Sequence, residues 1–267
     1  MTAGMTMKLS ELLAGARVSQ GRVSADIPAD WMQGRSVFGG LQAVLALRAM
    51  RTLVPEAPLR TLQVTFIAPI AGTVNAQARV LRTGKNATHV EARIIDGDAT
   101  QAIVIGVFGT ARSSAVARMP KRTELDPGQA PLIELPFGTE LGPAFTRHFQ
   151  VKWLRGEPPF TGGKSTSQLL ELAIDEDGPA NETILVAVAD FIPPIALSLL
   201  SAPTPGSTLT WMLELLADRF DHLPAAGFRV EAEMVAARDG YTSQAVAIFG
   251  ANGEALALSH QSMLVFG

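Results

Sequence analysis

The chain has 267 residues, 47% of them hydrophobic and 18% charged, with a formal net charge of -3. That is apolar surface enough for a large core, or for two units of roughly 100–200 residues each, and it excludes global disorder. There is no cysteine, which excludes disulfides, thiolate catalysis and Cys-ligated zinc. The mild charge, with no Lys/Arg stripe, excludes nucleic acid as an expected partner. Residues 1–19 have no continuous apolar stretch and are not expected to act as a signal peptide. No apolar run reaches the roughly 18 residues a bilayer span needs. The expectation is a cytoplasmic protein with no membrane partner.

In chain order, Ser10 as N-cap and Glu11 predict a short helix to Ala14, and residues 22–27 alternate as a strand does. A loop then leads through Val37 and Phe38 to Gly39 and Gly40. Residues 41–53, LQAVLALRAMRTL, predict a helix that is apolar almost all round, with Arg48 and Arg51 near its negative end. A helix of that kind is buried, and a sheet wrapped around it is the natural cover. Pro55 and Pro58 end it. Strands are predicted at 61–68, 72–83, 86–95 and 100–109, with turns at Gly84-Lys85 and Asp96-Gly97-Asp98. Residues 112–143 hold Pro120, Pro127, Pro131, Pro136 and Pro143 and read as an extended linker.

The second half repeats this order. Strands are predicted at 145–154, 164–174, 182–189, 207–216, 225–236, 241–249 and 256–266, and helix signals run from Asp190 to Leu200 past Pro193 and Pro194. The segment from Arg82, RTGKNATHVEARIIDGDATQAIVIGVFG, lines up with that from Arg238, RDGYTSQAVAIFGANGEALALSHQSMLVFG. Both have a basic-X-Gly turn, an alternating strand, a second turn and a last strand ending Val-Phe-Gly. The repeat predicts a duplicated α+β unit. The fold expected is a double hotdog, two tandem hotdog repeats each with an antiparallel sheet around a central apolar helix: an N-terminal hotdog at 1–112, a linker at 113–143 and a C-terminal hotdog at 144–267.

The stretch VFGGLQAVLALRAM followed by LRTLQVTFIAPIAGTV resembles the N-terminal half of the acyl-CoA thioesterase II (TesB-like) family. The stretches ADFIPPIAL, STLTWMLELL and DGYTSQAVAIFGANGEALALSHQSMLVFG resemble its C-terminal half. The resemblance implies hydrolysis of acyl-CoA to free acid and CoA, with no cofactor and no metal, in a homodimer or higher homo-oligomer. It also implies a site made of an Asp, a Ser or Thr, and a Gln, which fall here on Asp190, Thr208 and Gln261. Together they would hold a water against the thioester. Gly39 and Gly40 would let the substrate approach the backbone, and equally suit a tight strand-to-helix turn.

The residue types fit that chemistry. A carboxylate polarises water, a hydroxyl and an amide hold it, and a helix N-terminus offers N–H donors to the developing oxyanion. Each residue also has a plain reading. Asp190 ahead of two prolines can be a helix N-cap, and Thr208 and Gln261 are ordinary strand residues. Thr210 is the reserve for Thr208, and His260 should face away from Gln261 by strand alternation. The first-half counterparts expected for Thr208, Gln261 and Asp190 are Thr61, Ile103 and Phe38–Gly39, so one site per chain is expected. Two departures from the family pattern stand out: Ile67-Ala68-Pro69 in place of Arg-Pro, and Met212-Leu213-Glu214-Leu215-Leu216 in place of a basic and aromatic segment. They favour the other reading, a non-catalytic acyl-CoA or acyl-ligand-binding protein. There is no hydratase-type Asp-X-Asn-Pro-X-His, GxSxG, Walker A, GxGxxG or HExxH pattern.

Overall fold

The computed structural model describes residues 6–126, 128 and 130–266. Pro127 of the linker, the last glycine of the second Val-Phe-Gly and the first five residues of the 1–19 segment lie outside the described residues. The first half runs α1 (Leu9–Gly15), β1 (Arg17–Ser19), β2 (Arg22–Asp26), β3 (Met32–Gln33), β4 (Ser36–Val37), α2 (Gly39–Arg51), β5 (Leu59–Phe66), β6 (Thr73–Thr83), β7 (Ala87–Asp96) and β8 (Ala99–Gly109). The second runs β9 (Ile133–Leu135), β10 (Phe149–Arg155), β11 (Ser167–Ile174), α3 (Glu182–Ala189), β12 (Gly206–Leu215), β13 (Phe228–Arg238), β14 (Tyr241–Phe249) and β15 (Ala255–Val265).

Among the described residues all but β3 and β4 join one 13-stranded sheet, in the order β1-β2-β6-β7-β8-β5-β12-β15-β14-β13-β11-β10-β9. Every neighbouring pair is antiparallel, and β5 meets β12 at the centre (Val64 opposite Trp211). The order reads alike outward from that seam, which is the signature of two hotdog units joined edge to edge. Inside the curve lie α2, buried along nearly its whole length, and α3. They pack antiparallel: Gly39 meets Asp190 at one end, and Arg51 meets Glu182 at the other. The linker crosses the second half's outer face, where Thr123 donates to Glu231 through both its backbone N–H (2.8 Å) and its hydroxyl (2.6 Å).

Three expectations are corrected. Residues 182–189 are a helix, not a strand, and the run from Asp190 to Leu200 holds only a 3-10 turn at Ile195–Leu199. The segment ETILVAVA is rich in β-branched residues and carries a strand-like local preference. Tertiary burial overrides it, with help from Asn181, whose side chain accepts from the Ile184 N–H at 3.0 Å as an N-cap. Pro193 and Pro194 block helix continuation beyond Asp190. At the N-terminus, Lys8 rather than Ser10 is the cap of α1, its N–H donating to Glu11 at 2.9 Å.

Candidate active site

Asp190 is the C-cap of α3, with φ -98° and ψ 0°, so the N-cap reading is excluded. Because the helices are antiparallel, its carboxyl nonetheless faces a helix N-terminus, that of α2. A Cβ placed on Gly39 would stand 2.7 Å from Asp190 Oδ2 and 3.0 Å from the ring of Phe66. One placed on Gly40 would meet the Phe38 ring at 2.6 Å and the Ala187 carbonyl at 3.2 Å. Only glycine lets the two helix ends come this close.

Burial pushes the Asp190 carboxyl up to about 7; hydrogen bonding from the Gly40 backbone and from the Gln261 side chain acts in the opposite sense and only partly offsets it. No charge among the described residues contributes. Desolvation disfavours the carboxylate, and donors at a helix N-terminus favour it. The balance leaves an acid that is close to half-ionised at neutral pH.

Gln261 is buried in β15 and donates its Nε2 to Asp190 Oδ1 at 2.8 Å. Its Oε1 accepts from Nε2 of Gln244 at 2.9 Å, and Gln244 Oε1 accepts from the Ile195 N–H at 3.1 Å. Gln244, fully buried in β14, is absent from the sequence-based site. A signal was present: in YTSQAVAIF it shares the inward face with Thr242, Val246 and Ile248, where an apolar residue is expected.

Thr208 reaches the same face by a bulge. It lies opposite Met263 and Trp211 opposite Gln261, with a register shift between Thr208 and Thr210. Directly opposed residues share a face, so Thr208, Trp211, Gln261 and Met263 all look inward, although Thr208 and Trp211 are an odd number of positions apart. Thr210 is exposed on the outer face, which removes it as the reserve. His260 is exposed too, its Nε2 2.9 Å from Ser243 Oγ. The structure therefore brings Asp190, Gln261, Gly39 and Gly40 together and sets Thr208 on the wall they share.

Two family models account for most of the chain: the acyl-CoA thioesterase N-terminal domain matches residues 27–110 and the acyl-CoA thioesterase C-terminal domain matches residues 121–265. The chain belongs to the acyl-CoA thioesterase family. It is a thioester hydrolase of double-hotdog fold. Solved structures with the same fold include a hotdog protein from Alicyclobacillus acidocaldarius, 19% identical over 96% of this chain and 97% of that one at a TM-score of 0.85. A tesB protein from Mycobacterium avium subs paratuberculosis is 14% identical over 97% and 100% of the two chains, TM-score 0.76. An acyl-CoA thioesterase II from Mycobacterium marinum is 13% identical over 96% and 97%, TM-score 0.73. No curated protein matches the thioesterase in sequence.

The two departures from the family pattern now have positions. Met212 and Glu214 lie on the outer face of β12, while Leu213 and Leu215 are buried inward. Ile67, 53% exposed, directly follows Phe66, whose ring lies beside Gly39.

The first-half counterparts are also corrected. The bulge between Leu59 and Thr61 matches that between Thr208 and Thr210, so Thr208 corresponds to Leu59 rather than Thr61. In the same register Leu62 opposite Gly106 matches Trp211 opposite Gln261, so Gln261 corresponds to Gly106. Ile103 points to the opposite, outer face. Val90 opposite Gly106 matches Gln244 opposite Gln261. As helix C-caps, Asp190 and Thr52 correspond, not Asp190 and Phe38–Gly39. A Cβ on Gly106 would meet Met50 Sδ at 2.6 Å, so methionine fills the space that the amide holds in the second half. The mirror-related end of the helix pair is a cleft of about 330 Å³ lined by Arg51, Glu182, Leu59, Leu215 and Phe220, among others. There Arg51 pairs bidentately with Glu182. The asymmetry between the halves thus holds on different residues from those expected.

Proposed function

We propose that the thioesterase hydrolyses acyl-CoA at one site per chain, with Asp190 as general base and Gln261 and Thr208 holding the water. The observation that carries this is the Asp190 carboxyl: Oδ1 is committed to the Gln261 amide, Oδ2 faces Gly39 at the α2 N-terminus, and burial holds its pKa at about 7. With Oδ1 occupied by a donor, Oδ2 is the atom left to take a proton. Water on Oδ2 gives up that proton as its oxygen bonds to the thioester carbonyl carbon. N–H groups of the first turn of α2 other than that of Gly40, which is hydrogen-bonded to Asp190, are the donors for the resulting oxyanion. Collapse breaks the C–S bond, and Asp190 returns its proton to the departing thiolate. No covalent intermediate is needed. The same reading takes a homodimer or higher homo-oligomer as the working assembly.

The test is release of free CoA thiol from acyl-CoAs of graded chain length, wild type against Asp190→Ala. Loss of a general base should lower kcat by about 100-fold or more. Turnover unchanged by Asp190→Ala overturns the mechanism. Acyl-CoA binding without turnover on any chain length would instead identify a non-catalytic binding protein.

A further inference from the structure

We propose that Gln244 is a positioning residue, which fixes which end of the Gln261 amide meets Asp190. The inference rests on the reading of Asp190 as the base. Gln244 is 0% exposed, on the inward face of β14. A buried amide costs roughly 1–3 kcal/mol when its polar atoms go unpaired. Here both ends are paired, and the pairs share one direction. The Ile195 N–H can only donate, so Gln244 must turn its Oε1 toward it, at 3.1 Å. Its Nε2 is thereby aimed at Gln261 Oε1, at 2.9 Å. Gln261 is left with its own Nε2 to give, and gives it to Asp190 Oδ1 at 2.8 Å. The polarity of one backbone amide is relayed through two side chains to the carboxylate.

Without Gln244 the Gln261 amide has no such constraint. Turned over, it offers Oε1 to Asp190, which repels the ionised carboxylate and accepts from the protonated acid. The base would then be held in its inactive form over a wider pH range. The first copy supports the pairing of roles. At the positions of Gln261 and Gln244 it has Gly106 and Val90, so orienter and oriented are absent together. The relay also ties Ile195, shortly after Asp190 in the chain, to the sheet, so the same bond restrains the segment that carries the base.

The experiment measures kcat and KM against pH for wild type, Asp190→Ala, Gln244→Met and Gln244→Leu, with a thermal melt of each. Met is close to Gln in size, is neutral and can make neither amide bond, so it tests the role even where the branched Leu variant does not fold. The expected result for Gln244→Met is a kcat lower by about 10- to 100-fold, less than the loss of the base itself, with KM within about threefold. The acid limb of its pH profile moves to higher pH, because the Gln261 donor that lowers the Asp190 pKa is no longer held in place. A merely structural role would lower the melting temperature and leave the acid limb where it is, and that result overturns the proposal while Asp190→Ala still loses activity. Wild-type turnover in Asp190→Ala overturns the proposal together with the reading beneath it.

Discussion

A carboxyl whose pKa is raised by burial weakens the fold it serves. Asp190 ordinarily titrates near 3.8 and here near 7. Between those values the folded chain keeps a proton that the unfolded chain has released, so stability falls as pH rises through the window and the loss is complete above about 7. The full shift corresponds to at most about 4 kcal/mol at 1.36 kcal/mol per unit, and partial exposure and relaxation reduce it to roughly 2 kcal/mol. Asp190→Asn keeps the acceptor for Gln261 and removes the charge. At pH 8 it should therefore melt about 4–8 °C above wild type, and near pH 4 the two should melt together, as calorimetry across pH would read. The same variant should lose about 100-fold or more in kcat, while the wild-type rate rises with pH to a midpoint near 7. Asp190, Thr208 and Gln261 were legible as candidates through the family pattern, which identifies residues by neighbours in sequence. Gln244 was not, since its role depends on Ile195 and Gln261, which only the fold brings to it. The choice of Thr208 over Thr210 likewise depends on a bulge, which alternation along a single strand does not reveal.

At the scale of elements, the antiparallel helices end in opposite ways. Where α2 begins and α3 ends, two glycines let a carboxyl stand against the first turn of α2 and take a hydrogen bond from the Gly40 backbone. Where α2 ends and α3 begins, Arg51 is held by Glu182 and also donates to the carbonyls of Val54 (3.0 Å) and Ala57 (2.6 Å). Its guanidinium carbon lies 4.7 Å from the Phe108 ring centroid. The second end is a clamp. Glu182→Ala leaves Arg51 half-buried without its carboxylate and should cost about 1–2 kcal/mol, less than the 3–5 kcal/mol for a fully enclosed pair because both groups keep some water. Since the clamp is at the far end of both helices from Asp190, kcat should stay within about twofold. A loss of activity as large as the loss in stability would show the two ends to be coupled. This end was hidden from sequence reading because α3 itself was. Its β-branched residues match a strand, and the overlooked signal was the cap at Asn181, which no apolar period announces.

The whole molecule joins its halves by more than the linker. The β5–β12 seam makes the sheet continuous, and the buried apolar residues of both halves form one cluster. The N-terminal segment docks across the division. Trp31 stacks on His148 at 3.9 Å, Asp30 lies 3.3 Å from the same ring, and Lys8 pairs with Asp177 at 3.0 Å. Phe38, next to Gly39, stacks on Phe145 at 4.0 Å, and Phe149 packs at 4.7 Å on Phe191, next to Asp190. An aromatic column thus runs from the first half to the second beside the site. Neither half can bury its share of that surface alone: a chain ending at residue 143 would keep β5 as an unpaired central edge and α2 without α3. The expectation is then that the boundaries at residues 112 and 143 mark the duplication in sequence and do not separate units of folding. Denaturant unfolding of the whole chain should follow one transition, with far-UV and near-UV dichroism coincident and an m value matching all 267 residues. Residues 1–143 alone should show neither a cooperative transition nor near-UV signal. Two separated transitions in the whole chain would mean that each half closes its own core, and the aromatic column would then be a contact between finished domains. The single transition follows instead if the site requires both halves at once, since the Asp190 carboxyl of one half is set against the Gly39 and Gly40 backbone of the other.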